Sequence, residues 1–227
     1  MNQIPDRLAK VRQRIETAAK ACGRRADDIS LLAVSKTKPA GDVLAAYQAG
    51  QRAFGENYLQ DALPKMQALK GLDIEWHFIG RLQSNKTAEI SRCFDWVHGL
   101  DRVKHAERLS AQRPTDESPL QVCLQVNLSG ETSKGGAAAG HLPELALAVA
   151  RLPRLKLRGL MTMPDPDSDL ATQRAVFARL RGLLEDLRSR GLDLDTLSMG
   201  MSADMEAAIA EGSTLVRVGT DIFGARA

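Results

Sequence analysis

The chain has 227 residues, of which 44% are hydrophobic and 26% charged, an ordinary globular composition long enough to bury roughly 70% of the unfolded surface without metal or disulfide staples. Lys and Arg number 31 against 28 Asp and Glu, a net charge of +3 with the signs interspersed, and there are only two Trp, two Tyr and five Phe. Those figures argue against nucleic acid, an anionic membrane surface or a base-stacking platform as the partner.

Three cysteines, Cys22, Cys93 and Cys123, form no even set and no C-x-x-C pair, which favours a reducing compartment. The opening segment has no apolar h-region and carries Asp6 and Glu16, unlike a signal or transit peptide. No apolar run approaches the roughly 18 residues of a membrane span. A soluble, cytoplasmic protein is expected.

In chain order, Ile4, Leu8, Val11 and Ile15 mark an amphipathic opening helix by their spacing of about four. SLLAVSK (30–36) reads as a strand apolar on both faces, and PAGDVLAAYQAG (39–50) as a helix with Pro near its start and Gly at its end. RAFGEN (52–57) and IEWHFIG (74–80) are strands, followed by helices over 58–69 and after 84–86. DWVHGL (95–100) and PLQVCLQVN (119–127) come next, with helices over 101–112 and 141–151. LKLRGLMTM (155–163), DTLSMG (195–200) and TLVRVG (214–219) complete the strands, with helices over 169–190 and 203–211 between them. Eight such strands predict a parallel sheet covered on both sides. A doubly wound open sheet alternates the same way, but the count favours an α/β fold of one lean, TIM-like (β/α)8 barrel. The expected organisation is a single domain over 1–227 with an extra N-terminal helix and no second β-domain.

In such a barrel the site lies at the carboxyl ends of the strands. Leu32, Val34 and Lys36 share a face, so an apolar row delivers an ammonium to the mouth. Lys36 is either a snorkelling strand-end lysine or a Schiff-base lysine; Lys38, past the strand, reads as a solvated loop charge. Arg217 lies in phase with Leu215 and Gly219 and needs a partner, either a buried carboxylate or a ligand. Gly219 and Thr220 follow it with backbone N–H groups and a hydroxyl. Ser202 sits where a helix N-cap belongs, with Asp204 and Glu206 in the first turn. The loops after strands seven and eight of a barrel commonly hold phosphate, so those two acids must point away. A lysine facing a phosphate cradle fits pyridoxal 5'-phosphate (PLP) or a sugar phosphate in a Schiff-base aldolase. Zinc spacing, a Walker loop, G-x-G-x-x-G and G-x-S-x-G are absent, and no metal site is expected. The glycines at 135, 136 and 140 read as a loop, and Cys123 as inert core.

AVSKTKP (33–39), FGENY (54–58), WHFIGRLQSNK (76–86), VNLSGETSKGG (126–136), GLMTM (159–163) and the long block 197–226 closely resemble the pyridoxal 5'-phosphate homeostasis protein family, whose fold is similar to the barrel domain of alanine racemase. The resemblance implies that Lys36 carries PLP as a Schiff base. It implies that Ser202, Gly219 and Thr220, with the Met201 backbone, hold the phosphate, that Arg217 approaches the pyridine nitrogen, and that Asn57 lines the pocket. Lys134 matches a lysine that assists cofactor transfer; His77 is either pocket-lining or a satisfied core histidine. An arginine at the ring nitrogen disfavours its protonation and weakens carbanion chemistry. Racemisation also needs a second acid/base, and neither Tyr47 nor Tyr58 is placed for it by the sequence. The expected function is therefore storage and delivery of PLP, and through it homeostasis of amino and keto acids, by a monomer with no substrate turnover. Apo-enzymes are the implied recipients. An amino-acid racemase and a Schiff-base aldolase are the alternatives.

Overall fold

The computed structural model describes residues 3–128, 135–164 and 169–225. Its frame is eight short parallel strands whose apolar residues alternate between lumen and outer face. They are β1 (Ser30–Val34), β2 (Ala53–Glu56), β3 (Glu75–Phe78), β4 (Trp96–Leu100), β5 (Leu120–Asn127), β7 (Leu155–Met161), β8 (Thr196–Ser198) and β9 (Leu215–Val218), while the two-residue β6 (Ala137–Ala138) pairs only with the end of β5. Neighbours pair in chain order, and the ring closes through β1 and β9, where Leu32 stands opposite Arg217. The β4–β5 pairing links the two halves, with Trp96 opposite Gln121. These closing ladders exclude the open sheet and give the (β/α)8 barrel.

The helices α2 (Ala40–Gln48), α3 (Leu59–Ala68), α4 (Thr87–Cys93), α5 (Val103–Gln112), α6 (Leu142–Ala150), α7 (Leu170–Ser189) and α8 (Met205–Ala210) connect successive barrel strands. Each buries one stripe against the outer faces of the strands, where the main core sits. The opening helix, α1 (Ile4–Ala21), buries Ile4, Leu8, Val11, Ile15 and Ala19, the row that its sequence period marks out. It packs on α2, on α8 and on a four-residue α9 (Thr220–Phe223) that the sequence did not signal. No helix among the described residues is long and apolar enough to cross a membrane.

The lumen is divided. Leu32, Val34, Ile79 and Leu215 form one small apolar cluster, and Trp96, Cys123 and Met161 another. Between them runs a column of polar side chains from β3, β4, β8 and β9.

Candidate functional site

Seven residues singled out by the sequence converge at the carboxyl-terminal mouth. Lys36, Asn57, Met201, Ser202, Arg217, Gly219 and Thr220 all line one cavity of about 290 Å³. Ile79, Met163 and Phe223 supply apolar wall, and Lys38 is also at its edge. The lining holds three cationic side chains and no carboxylate. Lys38 is half-buried past the strand, and its Nζ donates to the exposed Ala225 carbonyl at 2.7 Å.

Lys36 is held from behind. Ser35 Oγ donates to Glu56 Oε1 at 2.6 Å, and Lys65 Nζ reaches both Glu56 Oε1 at 2.7 Å and the Ser35 carbonyl at 2.8 Å. All three are buried, and burial raises the Glu56 carboxyl above its usual range although Lys65 and Ser35 oppose it. This cluster fixes the residue before Lys36, and the residue after it, Thr37, turns the chain with φ +63°. Glu56 and Lys65 were missed; the signal available was a carboxylate at the end of an otherwise apolar strand.

The loop after β8 differs from expectation in two respects. Gly200, at φ +96° with the position of a Cβ only 2.7 Å from the Ala208 Cβ, makes the turn. Asp204, not Ser202, occupies the N-cap position of α8, and its side chain caps no helical amide: its Oδ1 turns back to take the Met201 N–H at 2.5 Å. The Met201 amide expected to meet phosphate is therefore already spent on the turn, and the Ser202 hydroxyl is left on the cavity wall. Burial raises the Asp204 carboxyl, with the Met201 amide as the main opposing influence.

Arg217 is buried and forms no ion pair with any described residue. Its Nη1 donates to the Ser198 carbonyl at 2.6 Å and to Ser198 Oγ at 2.8 Å, and Nη2 to the Thr162 carbonyl at 2.9 Å. Burial pushes its pKa down to about 10, which still leaves a cation at neutral pH. Three of five guanidinium N–H groups are used, so two remain for whatever fills the cavity. Asn57 offers a complementary group, because its Oδ1 is buried and has no partner.

His77 lies elsewhere. It lines a cavity of about 390 Å³ at the amino-terminal mouth, with Glu75, Trp96, Arg158 and Asp195, and belongs to the lumen column. Its Nε2 meets Glu75 Oε1 at 2.7 Å and its Nδ1 meets His98 Nε2 at 2.9 Å, while His98 Nδ1 meets Ser198 Oγ at 2.8 Å. The satisfied core histidine is the alternative that the geometry favours. Tyr58 is 57% exposed and does not line the cavity. Cys123 is inert core, its thiol pushed up to about 12 by burial. Lys134 lies outside the described residues.

A primary amine, an isolated buried guanidinium, an orphaned amide oxygen and two hydroxyls around a small apolar-walled cleft suit a compact ligand with a carbonyl, a ring acceptor and an anionic end. Residues 7–227 match the family described as alanine racemase, N-terminal domain, which sets the class: barrels of the racemase type. The alanine racemase of Clostridium difficile, 14% identical with a TM-score of 0.77, shares the fold over 97% of this chain and 57% of its own. A "Pyridoxal phosphate homeostasis protein" of Pseudomonas aeruginosa is 59% identical over 226 residues, covering 100% of this chain and 97% of that one. PipY of Synechococcus elongatus PCC7942, a COG0325 member solved with PLP bound, is 37% identical with a TM-score of 0.87, covering 98% of this chain and all of that one. The chain belongs to the pyridoxal phosphate homeostasis protein family.

Proposed function

We propose that this protein binds PLP at the carboxyl-terminal mouth of the barrel, holds it through a Schiff base to Lys36, and serves as a reserve that is handed on to apo-enzymes, without turning over a substrate of its own. The observation that carries the reading is the convergence of Lys36, Asn57, Ser202, Arg217 and Thr220 on one cavity free of carboxylates. PLP, when bound, supplies a reactive aldehyde and a ring able to accept electrons. The Glu56–Lys65–Ser35 cluster keeps the Lys36 backbone fixed, so the amine approaches from one side. The hydroxyls of Ser202 and Thr220, together with the close-packed backbone at Gly219, hold the phosphate. Arg217 offers one of its remaining N–H groups to the ring nitrogen, which has a single lone pair to accept it. A group that is always protonated there disfavours a second proton on the ring, which weakens carbanion chemistry and suits holding over turnover. In this reading residues 1–227 act as one PLP-binding unit, a monomer in the cytoplasm, where its cysteines stay reduced. Lys134 assists transfer.

The test is the visible absorption spectrum of the purified protein with Lys36→Ala beside it. A yellow wild type and a colourless variant are expected. Colour in both overturns the lysine assignment, and colour in neither after addition of PLP overturns the cofactor.

A further inference from the structure

Two carboxylates stand where they ought to harm an anion site. Glu206 lies in the first turn of α8, directly after the loop of Met201 and Ser202, and Asp221 follows Thr220 in α9. Both stand in the helices that follow the Met201–Ser202 and Gly219 segments of the cavity lining, and a carboxylate near a phosphate repels it over distances of about a Debye length, roughly 8 Å. Yet neither lines the cavity. A residue outside the barrel binds both. Arg14 of α1 donates through Nε to Glu206 Oε1 at 2.9 Å, through Nη2 to Glu206 Oε2 at 3.1 Å and to the Ser202 carbonyl at 3.0 Å, and through Nη1 to Asp221 Oδ2. One guanidinium thus ties the loop after β8 to the loop after β9 and holds both acids on the outer side. Only a planar fork with donors on three nitrogens can do this from a single position.

We propose that Arg14 is a positioning residue for the phosphate of the bound ligand. Its single positive charge offsets one of the two negative charges of Glu206 and Asp221, and its fork holds both carboxylates on the outer side. The assignment rests on the PLP reading above and deepens it, because it makes the extra N-terminal helix part of the binding site without touching the ligand. As a source of fold stability the cluster is weak: the three side chains are 37%, 50% and 32% exposed, and pairs so exposed contribute little. Its effect is expected in ligand selectivity.

The test compares PLP with pyridoxal, which has the same ring and aldehyde but no phosphate. The unloaded full-length protein is titrated with each and the absorbance of the bound compound is followed, for wild type, Arg14→Met, and Arg14→Met combined with Glu206→Gln and Asp221→Asn. Arg14→Met is expected to weaken PLP about tenfold, to leave pyridoxal within about twofold, and to recover most of its PLP affinity in the triple variant. Equal losses for the two compounds, or no recovery in the triple variant, overturn the assignment while leaving the PLP reading intact. Failure of the wild type to take up PLP at all overturns both. Should Arg14→Met not fold, Glu206→Gln with Asp221→Asn in the presence of Arg14 decides the matter: tighter PLP at unchanged pyridoxal supports the charge-offsetting role, and unchanged or weaker PLP overturns it.

Discussion

Arg217 shows how a single cation is accommodated in a barrel lumen. With no ion pair among the described residues, its charge is met by carbonyls and by a column of hydrogen bonds whose direction follows from donor counting. The hydrogen bond from His77 holds the Glu75 carboxyl below its usual range, so Glu75 accepts, and His77 Nε2 carries the hydrogen. With both imidazoles neutral, His77 Nδ1 accepts from His98 Nε2, and His98 Nδ1 from the Ser198 hydroxyl, which accepts in turn from Arg217. Each hydrogen points from the arginine toward the carboxylate at the other mouth. Burial, with His77 and Arg217 nearby, depresses the His98 pKa well below the ordinary value and keeps the ring neutral. The sign follows: the unfolded chain binds a proton near pH 6.5 that the folded state refuses, so the contribution is present above that pH and lost as pH falls below it. Urea unfolding at about pH 7 and about pH 5 should show stability falling with a slope of up to about 1.4 kcal/mol per pH unit from this one group. His98→Gln, which keeps a donor and an acceptor, should remove that component. His105, whose pKa burial also lowers, leaves a residual slope. An unaltered slope in the variant would assign the proton elsewhere.

At the scale of elements, the site depends on how closely strand ends approach one another. A Cβ on Gly80, just past β3, would fall 2.0 Å from the Asn57 carbonyl oxygen, backbone that has no flexible end to move. Gly80→Ala is expected to cost about 1–3 kcal/mol in unfolding free energy. It should also weaken PLP binding by displacing Asn57, which lines the cavity and whose buried oxygen has no partner. Denaturant unfolding and a PLP titration on the same preparation check both, and unchanged PLP affinity in a destabilised variant would remove Asn57 from the site. The elements themselves were largely legible. SLLAVSK and TLVRVG read as buried strands because β-branched and aliphatic runs bounded by polar turns have few other uses, and α1 because its stripe repeats at the helical period. The start of α8 was misread: Ser202 and Asp204 are both residue types that favour an N-cap, but the helix begins at Met205 and the Asp204 side chain is drawn back to the Met201 amide by the turn at Gly200.

For the whole molecule, the carboxyl-terminal mouth has no second domain over it among the described residues, whereas the racemase of similar fold carries a further stretch of chain beyond the shared barrel. The proposed holding role has its test here. The PLP-loaded protein, incubated with L-alanine in deuterated water, is expected to show neither sustained α-deuterium exchange nor D-alanine, because among the described residues no tyrosine, histidine or carboxylate lines the cavity with Lys36; accumulation of D-alanine would make it a racemase. The sequence by itself determined the eight-strand alternation, the amphipathic opening helix and the lysine, arginine and hydroxyls at strand ends, since these rest on local period and on the cost of charge within apolar runs. The tertiary structure alone decided that Glu56 and Lys65 brace Lys36, that His77 belongs to the lumen column and not to the cavity, and that Arg14 gathers Glu206 and Asp221. The contacts that decide them join different elements of the fold, 21 positions apart for His77 and His98, 30 for Lys65 and Ser35, and 192 for Arg14 and Glu206. Closure of the barrel creates that proximity, and no local pattern encodes it.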